Sequence, residues 1–255
     1  MTGGVLLTLR APLRGRVDAS GVAWSTLGAV SGTVIGSQEV WLEGEGATPL
    51  GDLFRIRGTP GARLRLAGDL ALMDGIGAGW TEGELVVEGN AGWDVGRGMH
   101  GGAIEIRGSA GPRAGAAEPG AKRGMTGGEI IIRGAAGREA GACLRRGLIV
   151  VEGDADEGAG RAMIAGTVIV FGAVGAGAGL WSKRGSIVAF GPIARPASYR
   201  YACTYRPPHL AVTLTYLRTR YGVPVAPRQL SGLYRRYSGD LADIGKGEIL
   251  EWTSE

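Results

Sequence analysis

The 255-residue sequence predicts an all-β chain: a right-handed parallel β-helix with coils of about nineteen residues, an N-terminal β-rich cap, and a C-terminal extension containing one α-helix. Three observations carry this prediction: a fixed period, glycines at fixed places within it, and apolar alternation between those glycines. Six segments, GELVVEGNAG, GAIEIRGSAG, GEIIIRGAAG, GLIVVEGDAD, GTVIVFGAVG and GSIVAFGP, open at Gly83, Gly102, Gly128, Gly147, Gly166 and Gly185, with spacings of 19, 26, 19, 19 and 19. A second glycine follows each opener by six residues, and a third follows each of the first five by thirteen (Gly96, Gly115, Gly141, Gly160, Gly179). Glycine reaches positive φ at no steric cost, so the β-rich stretches between glycines are short walls with a corner at each end. Helix is excluded, because each interior glycine costs about 1 kcal/mol relative to alanine.

Alternation shows which side chains point inward. The second and fourth strand positions are Leu85/Val87, Ile104/Ile106, Ile130/Ile132, Ile149/Val151, Val168/Val170 and Ile187/Ala189, all apolar. The fifth position faces out, and stacking pairs Glu88 with Arg107 and Arg133 with Glu152. Three residues before each opener stand Trp80, Met99, Met125, Leu144, Met163 and Ser182, a further inward stack. With no histidine or cysteine beside them, the methionines are core filling and not a metal site.

The repeat begins earlier in degraded form. Ala62 to Gly68 (ARLRLAG), with Gly75 at the third-glycine place, makes a 21-residue coil before Gly83. Residues 1–61 contain strand-like pieces (VLLTLR, EVWLEG, DLFRIRG) without the period, and are assigned to a cap over the open end. The β-helix is placed at 62–192 and the C-terminal helix and tail at 193–255. Composition changes at that boundary: all seven tyrosines lie between Tyr199 and Tyr237, and five of the 49 glycines lie beyond Pro192. Pro208 opens a helix with Leu210, Leu214, Leu217 and Tyr221 on one face, closed by Gly222 and Pro224. Its expected seat is the outward apolar patch Ile131, Val150, Ile169, Phe171, Val188 and Phe190, which could be shared with a partner protein of the same assembly.

No segment approaches the ~20 apolar residues of a membrane span, and the N-terminal residues lack a signal-peptide pattern, so a soluble cytoplasmic chain is expected. Cys143 and Cys203 form neither a metal motif nor a disulfide framework. The net charge is +4, with 25 arginines against three lysines. Arginine suits carboxylate and phosphate recognition, but genomic base composition explains the bias equally well. Nucleic-acid binding is disfavoured, since aromatic residues do not interleave with basic ones.

The search for chemistry finds little. His100 and His209 occupy unrelated contexts and are assigned structural roles. Asp154, Asp156 and Glu157 lie within one coil at a turn, where Asp serves local hydrogen bonding, and are not in columns across coils as paired catalytic carboxylates would be. The glycine strings open no helix and fail as dinucleotide loops. Two irregularities remain. The insertion Ala116 to Lys122, just before Arg123, is either a binding loop or a tolerated surface insertion. The stretch LYRRYSGDLADIGKGEILEW carries Tyr234, Arg235, Arg236 and Tyr237, a cluster without regular structure that suits anchoring on a partner protein.

GMTGGEIIIRGAAGREAG with the preceding PGAKR, and LGDLFRIRG with AGDLALMDGIGAGWTEG, closely resemble the C subunit of formylmethanofuran dehydrogenases, whose β-helix is shared with the C-terminal domain of glutamate synthase. The tail SYRYACTYRPPHL and YRRYSGDLADIGKGEIL is more similar to the bacterial branch, the C subunit of the formyltransferase/hydrolase complex of methylotrophs; the resemblance spans roughly residues 48–252. Trp80 departs from the methionine expected in its column.

The resemblance implies a four-subunit assembly in one-carbon metabolism. It moves a formyl group from formyl-tetrahydromethanopterin to methylofuran and hydrolyses formyl-methylofuran to formate. It further implies that transfer belongs to the D subunit, that hydrolysis belongs to the metal-bearing, amidohydrolase-like A subunit, and that the B subunit makes up the rest of the complex. This chain would be the scaffold, without catalytic residues, metal or cofactor of its own. Methylofuran carries a polyglutamate tail, which Lys122, Arg123, Arg235 and Arg236 could guide electrostatically, with Tyr234 and Tyr237 as partner anchors. Two alternatives stay open: the C subunit of a molybdenum or tungsten formylmethanofuran dehydrogenase, and a glutamate synthase-like module or stand-alone binding protein.

Overall fold

The structure is a computed structural model and describes residues 3–253. Before the regular repeats come β1 (Gly4–Leu9), β2 (Val17–Asp18), α1 (Trp24–Leu27), α2 (Gly32–Gly36), β3 (Glu39–Leu42), β4 (Gly46–Pro49), α3 (Leu50–Leu53), β5 (Phe54–Gly58), β6 (Arg63–Ala67) and β7 (Met73–Asp74). The repeats supply β8 (Glu84–Val87), β9 (Ala103–Ile106), β10 (Glu129–Ile132), β11 (Leu148–Val151), β12 (Thr167–Val170) and β13 (Arg184–Ala189). Then follow β14 (Arg200–Tyr205), α4 (Pro208–Tyr221), α5 (Pro227–Leu230), β15 (Leu233–Gly239) and β16 (Lys246–Thr253). The chain is β-rich. Twelve strands form one mixed sheet in the order β14-β15-β16-β13-β12-β11-β10-β9-β8-β6-β1-β5, and four form a second, β4-β3-β2-β7.

Within the large sheet β6 and β8 to β13 are all parallel and in the register that the glycines set. Leu64, Leu85, Ile104, Ile130, Ile149, Val168 and Ile187 stand in one column, fully buried. Val5 of β1 and Ile249 of β16 extend that column at either end. A second line of parallel bridges joins Leu70, Ala91, Ala110, Ala136, Ala155, Val174 and Ile193. Trp80, Met99, Met125, Leu144, Met163 and Ser182 are all buried, and Trp80 is accommodated at 2% exposure. At the end of this stack Ser182 Oγ lies 2.6 Å from Tyr199 Oη, so the polar member is matched by a polar group. The ion pairs Arg107–Glu88 and Arg133–Glu152 form across adjacent strands.

The third glycine of each repeat meets two demands at once. At Gly96 φ is +62°, and a Cβ there would lie 2.7 Å from Ile130 Cδ1. The position is left-handed and also faces the buried isoleucine column, so a side chain there would be strained and would have to displace the Ile130 methyl. Two residues earlier, the same left-handed geometry points outward and accepts Asp94 (φ 60°), Arg113 (φ 69°) and Glu139 (φ 59°). This corrects one sequence assignment. In the first coil Gly77, not Gly75, holds the third-glycine place: a Cβ on Gly77 would lie 2.8 Å from Leu85 Cδ2 and Ile104 Cδ1. Leu70 bridges Ala91, 21 residues on, whereas the amide of Gly96 bonds the carbonyl of Ile76, so the two extra residues of that coil lie between Leu70 and Ile76.

The ends are closed by strands that break the parallel pattern. At the start, β1 is parallel to β6 and antiparallel to β5, and the core continues through Leu7, Trp24, Leu27, Ile35, Leu50 and Phe54, all buried. The strand pieces foreseen upstream are present as β1, β3 and β5; the three short helices between them were not foreseen. At the other end the tail is not irregular. β16 continues the ladder parallel to β13, and β15 and β14 add antiparallel strands. The extension also holds two helices among the described residues, the expected α4 and the single-turn α5.

Helix α4 sits where its apolar face requires. Leu210, Leu214 and Leu217 are buried against Ile131, Val150, Ile169 and Val188, with Phe171 and Phe190 at the margin. Gly222, at φ 67°, ends the helix in the left-handed conformation typical of a C-terminal cap. Arg133 donates to the Tyr221 carbonyl at 2.5 Å, placing a cation at the negative end of the helix. The Tyr221 hydroxyl donates to Glu129, and burial together with that carboxylate holds its pKa far above the ordinary tyrosine value.

This packing makes two predictions. Gly96→Ala combines left-handed strain with a clash in the isoleucine column, whereas Gly177→Ala, at φ 73° with its nearest neighbour 3.5 Å away, meets strain alone. Thermal unfolding should show Gly177→Ala lowering Tm by about 2–4 °C, from a cost of about 1 kcal/mol, and Gly96→Ala by at least twice that. Leu214→Ala should cost about 2–5 kcal/mol in denaturant unfolding, while Val212→Ala, at a residue 70% exposed on the same helix, should change stability by less than about 0.5 kcal/mol.

Candidate functional site: a groove and a cationic corner

The turns that carry the third glycine stack into a face of their own. Side chains ten and eleven residues after each opener, and fourteen and fifteen after it, leave a groove of about 870 Å³ between them. Trp93 and Trp181 are among its lining residues, 48% and 52% exposed, with Arg113, Arg138 and Arg161 alongside. Gly158 and Gly177 stand at the eleventh position of their repeats, where Arg113 and Glu139 stand in earlier ones, so the groove deepens where side chains are missing. Trp181 itself sits at φ 60°, its backbone N–H donating a hydrogen bond of 2.8 Å to the buried Asp240 carboxylate.

The groove is mostly apolar, and its charged side chains nearly balance. Arg113 pairs with Asp94 at 2.8 Å, Arg161 with Glu139 at 2.7 Å, and Arg138 with Glu157 at 3.4 Å. The Arg161 guanidinium also lies 4.4 Å from the centre of the Trp181 ring, and Arg16 lies 4.5 Å from that of Trp93. Such a surface offers aromatic faces and oriented guanidinium groups. It does not offer a strong field of one sign.

The corner just before each opener is different. Thr126, Arg145, Ile164 and Lys183 stack in one column, as their amide bonds to the preceding coil show, and Arg146, Ala165 and Arg184 stand beside them. Arg146, Lys183 and Arg184 are exposed and Arg145 is half-buried; among the described residues none of the four has a carboxylate partner. Coils about 4.8 Å apart keep these cations within one Debye length of each other, so they act together on an anion. His100 belongs to the same column, with Nδ1 2.7 Å from Thr126 Oγ1, a corner contact as expected. Asp154 accepts from the Ala173 amide at 2.7 Å, a turn role. Among the described residues no three His, Cys, Asp or Glu side chains are grouped for a metal ion.

The residues singled out from the sequence fall on two separate elements. Lys122 and Arg123 are exposed in the insertion, whose root is tied down by Arg113 Nη2 to the Ala117 carbonyl at 3.2 Å and by the Glu118–Arg97 ion pair at 2.9 Å. Arg235 and Arg236 lie on β15, at the far end of the large sheet, so the structure does not bring the two pairs together. Arg236 makes an ion pair with Glu248 at 2.8 Å, and Arg235 is exposed. Tyr234 is 1% exposed, its hydroxyl donating to the Gln229 carbonyl at 2.6 Å; it is a core residue and presents no surface to a partner. Tyr237 is half-buried under Arg195, whose guanidinium lies 3.7 Å from the ring centre. The groove and the cationic corner were missed. The signal for them was column arithmetic: Arg145 and Lys183 each stand two residues before an opener, and Arg146 and Arg184 one.

No protein-family profile and no curated protein matches the chain. Among solved structures, one chain of the formyltransferase/hydrolase complex (FhcABCD) from Methylorubrum extorquens, determined in complex with methylofuran, superposes with a TM-score of 0.79 at 34% sequence identity. The alignment covers 96% of this chain and 98% of that one, so the likeness includes both end closures as well as the repeats. The chain belongs to the family of subunits that build formyltransferase/hydrolase complexes.

Proposed function

We propose that this chain is the C subunit of a formyltransferase/hydrolase complex. In this reading it is the scaffold, bearing no catalytic residue, on which the other subunits transfer a formyl group from formyl-tetrahydromethanopterin to methylofuran and hydrolyse formyl-methylofuran to formate. The observation that carries it is the end-to-end match at 34% identity to a chain of such a complex. We further infer that the repeats wind as a right-handed parallel β-helix, with 62–192 as its body and 1–61 and 193–255 as its closures. In-register parallel strands, joined by a second line of parallel bridges, support winding, and parallel crossovers are right-handed in about 98% of cases. Partners under this reading are the A, B and D subunits, with the metal held by the amidohydrolase-like one. A cytoplasmic setting suits two free cysteines, one of them exposed.

The carrier's polyglutamate tail gives the unpaired cations a use. Lys122 and Arg123 on the insertion, and Arg145, Arg146, Lys183 and Arg184 at the corner, suit a mobile polyanion, because exposed cations without partners attract it without fixing one geometry. Arg236, already paired, contributes less than Arg235.

Two outcomes test this reading. Affinity purification through a tag on this chain, under native conditions, should recover three further subunits, among them a formyltransferase and a metal-containing, amidohydrolase-like protein. Recovery with molybdopterin and iron–sulfur partners, with amidotransferase and flavin partners, or alone would overturn it. In the recovered complex, replacing Lys122, Arg123, Arg145, Arg146, Lys183 and Arg184 by Gln should raise KM several-fold at low ionic strength, with the difference fading above about 0.3 M salt. Unchanged assembly, KM and salt dependence would remove the carrier from this surface.

A further inference from the structure

The two edges of the large sheet are finished differently. At one end β5 is covered: Phe54 is fully buried, and Ile56 packs under α2, its side-chain atoms 3.3 Å and 3.5 Å from where Cβ atoms on Gly32 and Gly36 would stand. At the other end β14 is bare. Of its six residues, Arg200 to Thr204 are exposed and Tyr205 is half-exposed; Tyr205 packs on the α4 core and Tyr201 against the Tyr237 ring, and the rest of the strand is open. Its pairing to β15 uses one edge, and the outer edge has no strand beside it. Natural sheets blunt such edges with proline, bulges, charged side chains or a cover. Here there is a register shift between Tyr201 and Cys203 and an arginine at the strand's start, but no proline within the strand, and Tyr201 is 60% exposed.

Charge selects what can pair there. β14 and β15 contain no acidic residue. The nearest carboxylates in the sheet, on β16, are engaged: Glu248 with Ser186 at 2.6 Å and Arg236 at 2.8 Å, and Glu251 with Arg195 at 2.5 Å. That leaves Arg200, Arg206 and Arg235 exposed around the open edge without carboxylate partners among the described residues. A second copy of this chain is a poor occupant, because the strand it would add carries Arg200, is followed by Arg206, and contains no carboxylate.

We propose that the outer edge of β14 receives an extended, acidic segment from elsewhere in the same complex, contributed by another subunit, which adds to the sheet as a thirteenth strand and sets carboxylates against Arg200, Arg206 and Arg235. This rests on the reading of the chain as a scaffold and names the surface that reading lacks. Main-chain pairing supplies affinity, and the three arginines supply selection for acidic sequence.

Amide deuterium exchange over residues 200–205 tests it in three states: the isolated full chain, that chain with a ten-residue peptide alternating Glu and Thr, and the complex purified through this chain. Exchange should slow at least about tenfold in the complex and with the Glu/Thr peptide, but not with a Lys/Thr peptide. The Arg200→Glu, Arg206→Glu, Arg235→Glu triple variant should lose both protections while α4 amides stay protected, showing that the fold is intact. A complete complex whose 200–205 amides exchange as fast as in the isolated chain overturns this inference and leaves the scaffold reading standing. If no partner is recovered the scaffold reading fails, and absence of protection by the Glu/Thr peptide then overturns the edge assignment separately. An isolated chain that is dimeric, with these amides already protected, overturns it in favour of self-pairing.

Discussion

Everything in this molecule depends on how closely one corner of each repeat approaches the isoleucine column. The third glycine turns the chain in a left-handed conformation directly over buried side chains of the next coils, where a Cβ at Gly96 or Gly115 would displace an isoleucine methyl and one at Gly160 would be tight. That approach keeps the turn short, and the apolar columns from Val5 to Ile249 form one continuous core. Burial at roughly 25 cal/mol per Å² rewards the stack only when the coils stay in register, and the corner enforces the register.

Two consequences follow on the outside. Regular coils make a flat wall, and where its outward residues turn from Glu105 to Ile131, Val150, Ile169 and Val188 the wall needs a cover, which α4 provides. Charged residues at the margin, with Arg133 at their centre bonded to Glu105, Glu152 and the end of α4, fix where the helix stops. The outward left-handed positions are free of the glycine requirement, and they carry the groove residues Arg113 and Glu139. A stack of this kind can vary its corners without disturbing its core.

Much of this was legible in the sequence because the determinants are local and repeated. The inward pairs from Leu85/Val87 to Ile187/Ala189, the Glu88–Arg107 pair and the apolar face of α4 each follow from counting within a coil or between neighbours. What escaped was set by distant partners. β15 and β16 look like loop because glycines fall in them and the connection between them carries Asp240 and Asp243, yet β16 finds its place beside β13, some sixty residues upstream. The place of Gly77 was obscured by two extra residues in the first coil, and that of Tyr234 by a strand partner outside any local window. The groove is assembled from one or two residues of several coils, so no contiguous motif marks it.

Under the proposed reading, the column of coils would hold sites belonging to other subunits at fixed separation, with exposed cations left for a mobile anion and an open edge for a neighbour. Electron cryomicroscopy of the intact complex during turnover tests this most directly. The account predicts that this chain touches at least two other subunits and that none of its side chains comes within about 4.5 Å of the formyl carbon at either reaction site. A map in which a side chain from residues 3–253 contacts that carbon, or in which the chain touches a single neighbour, would contradict it.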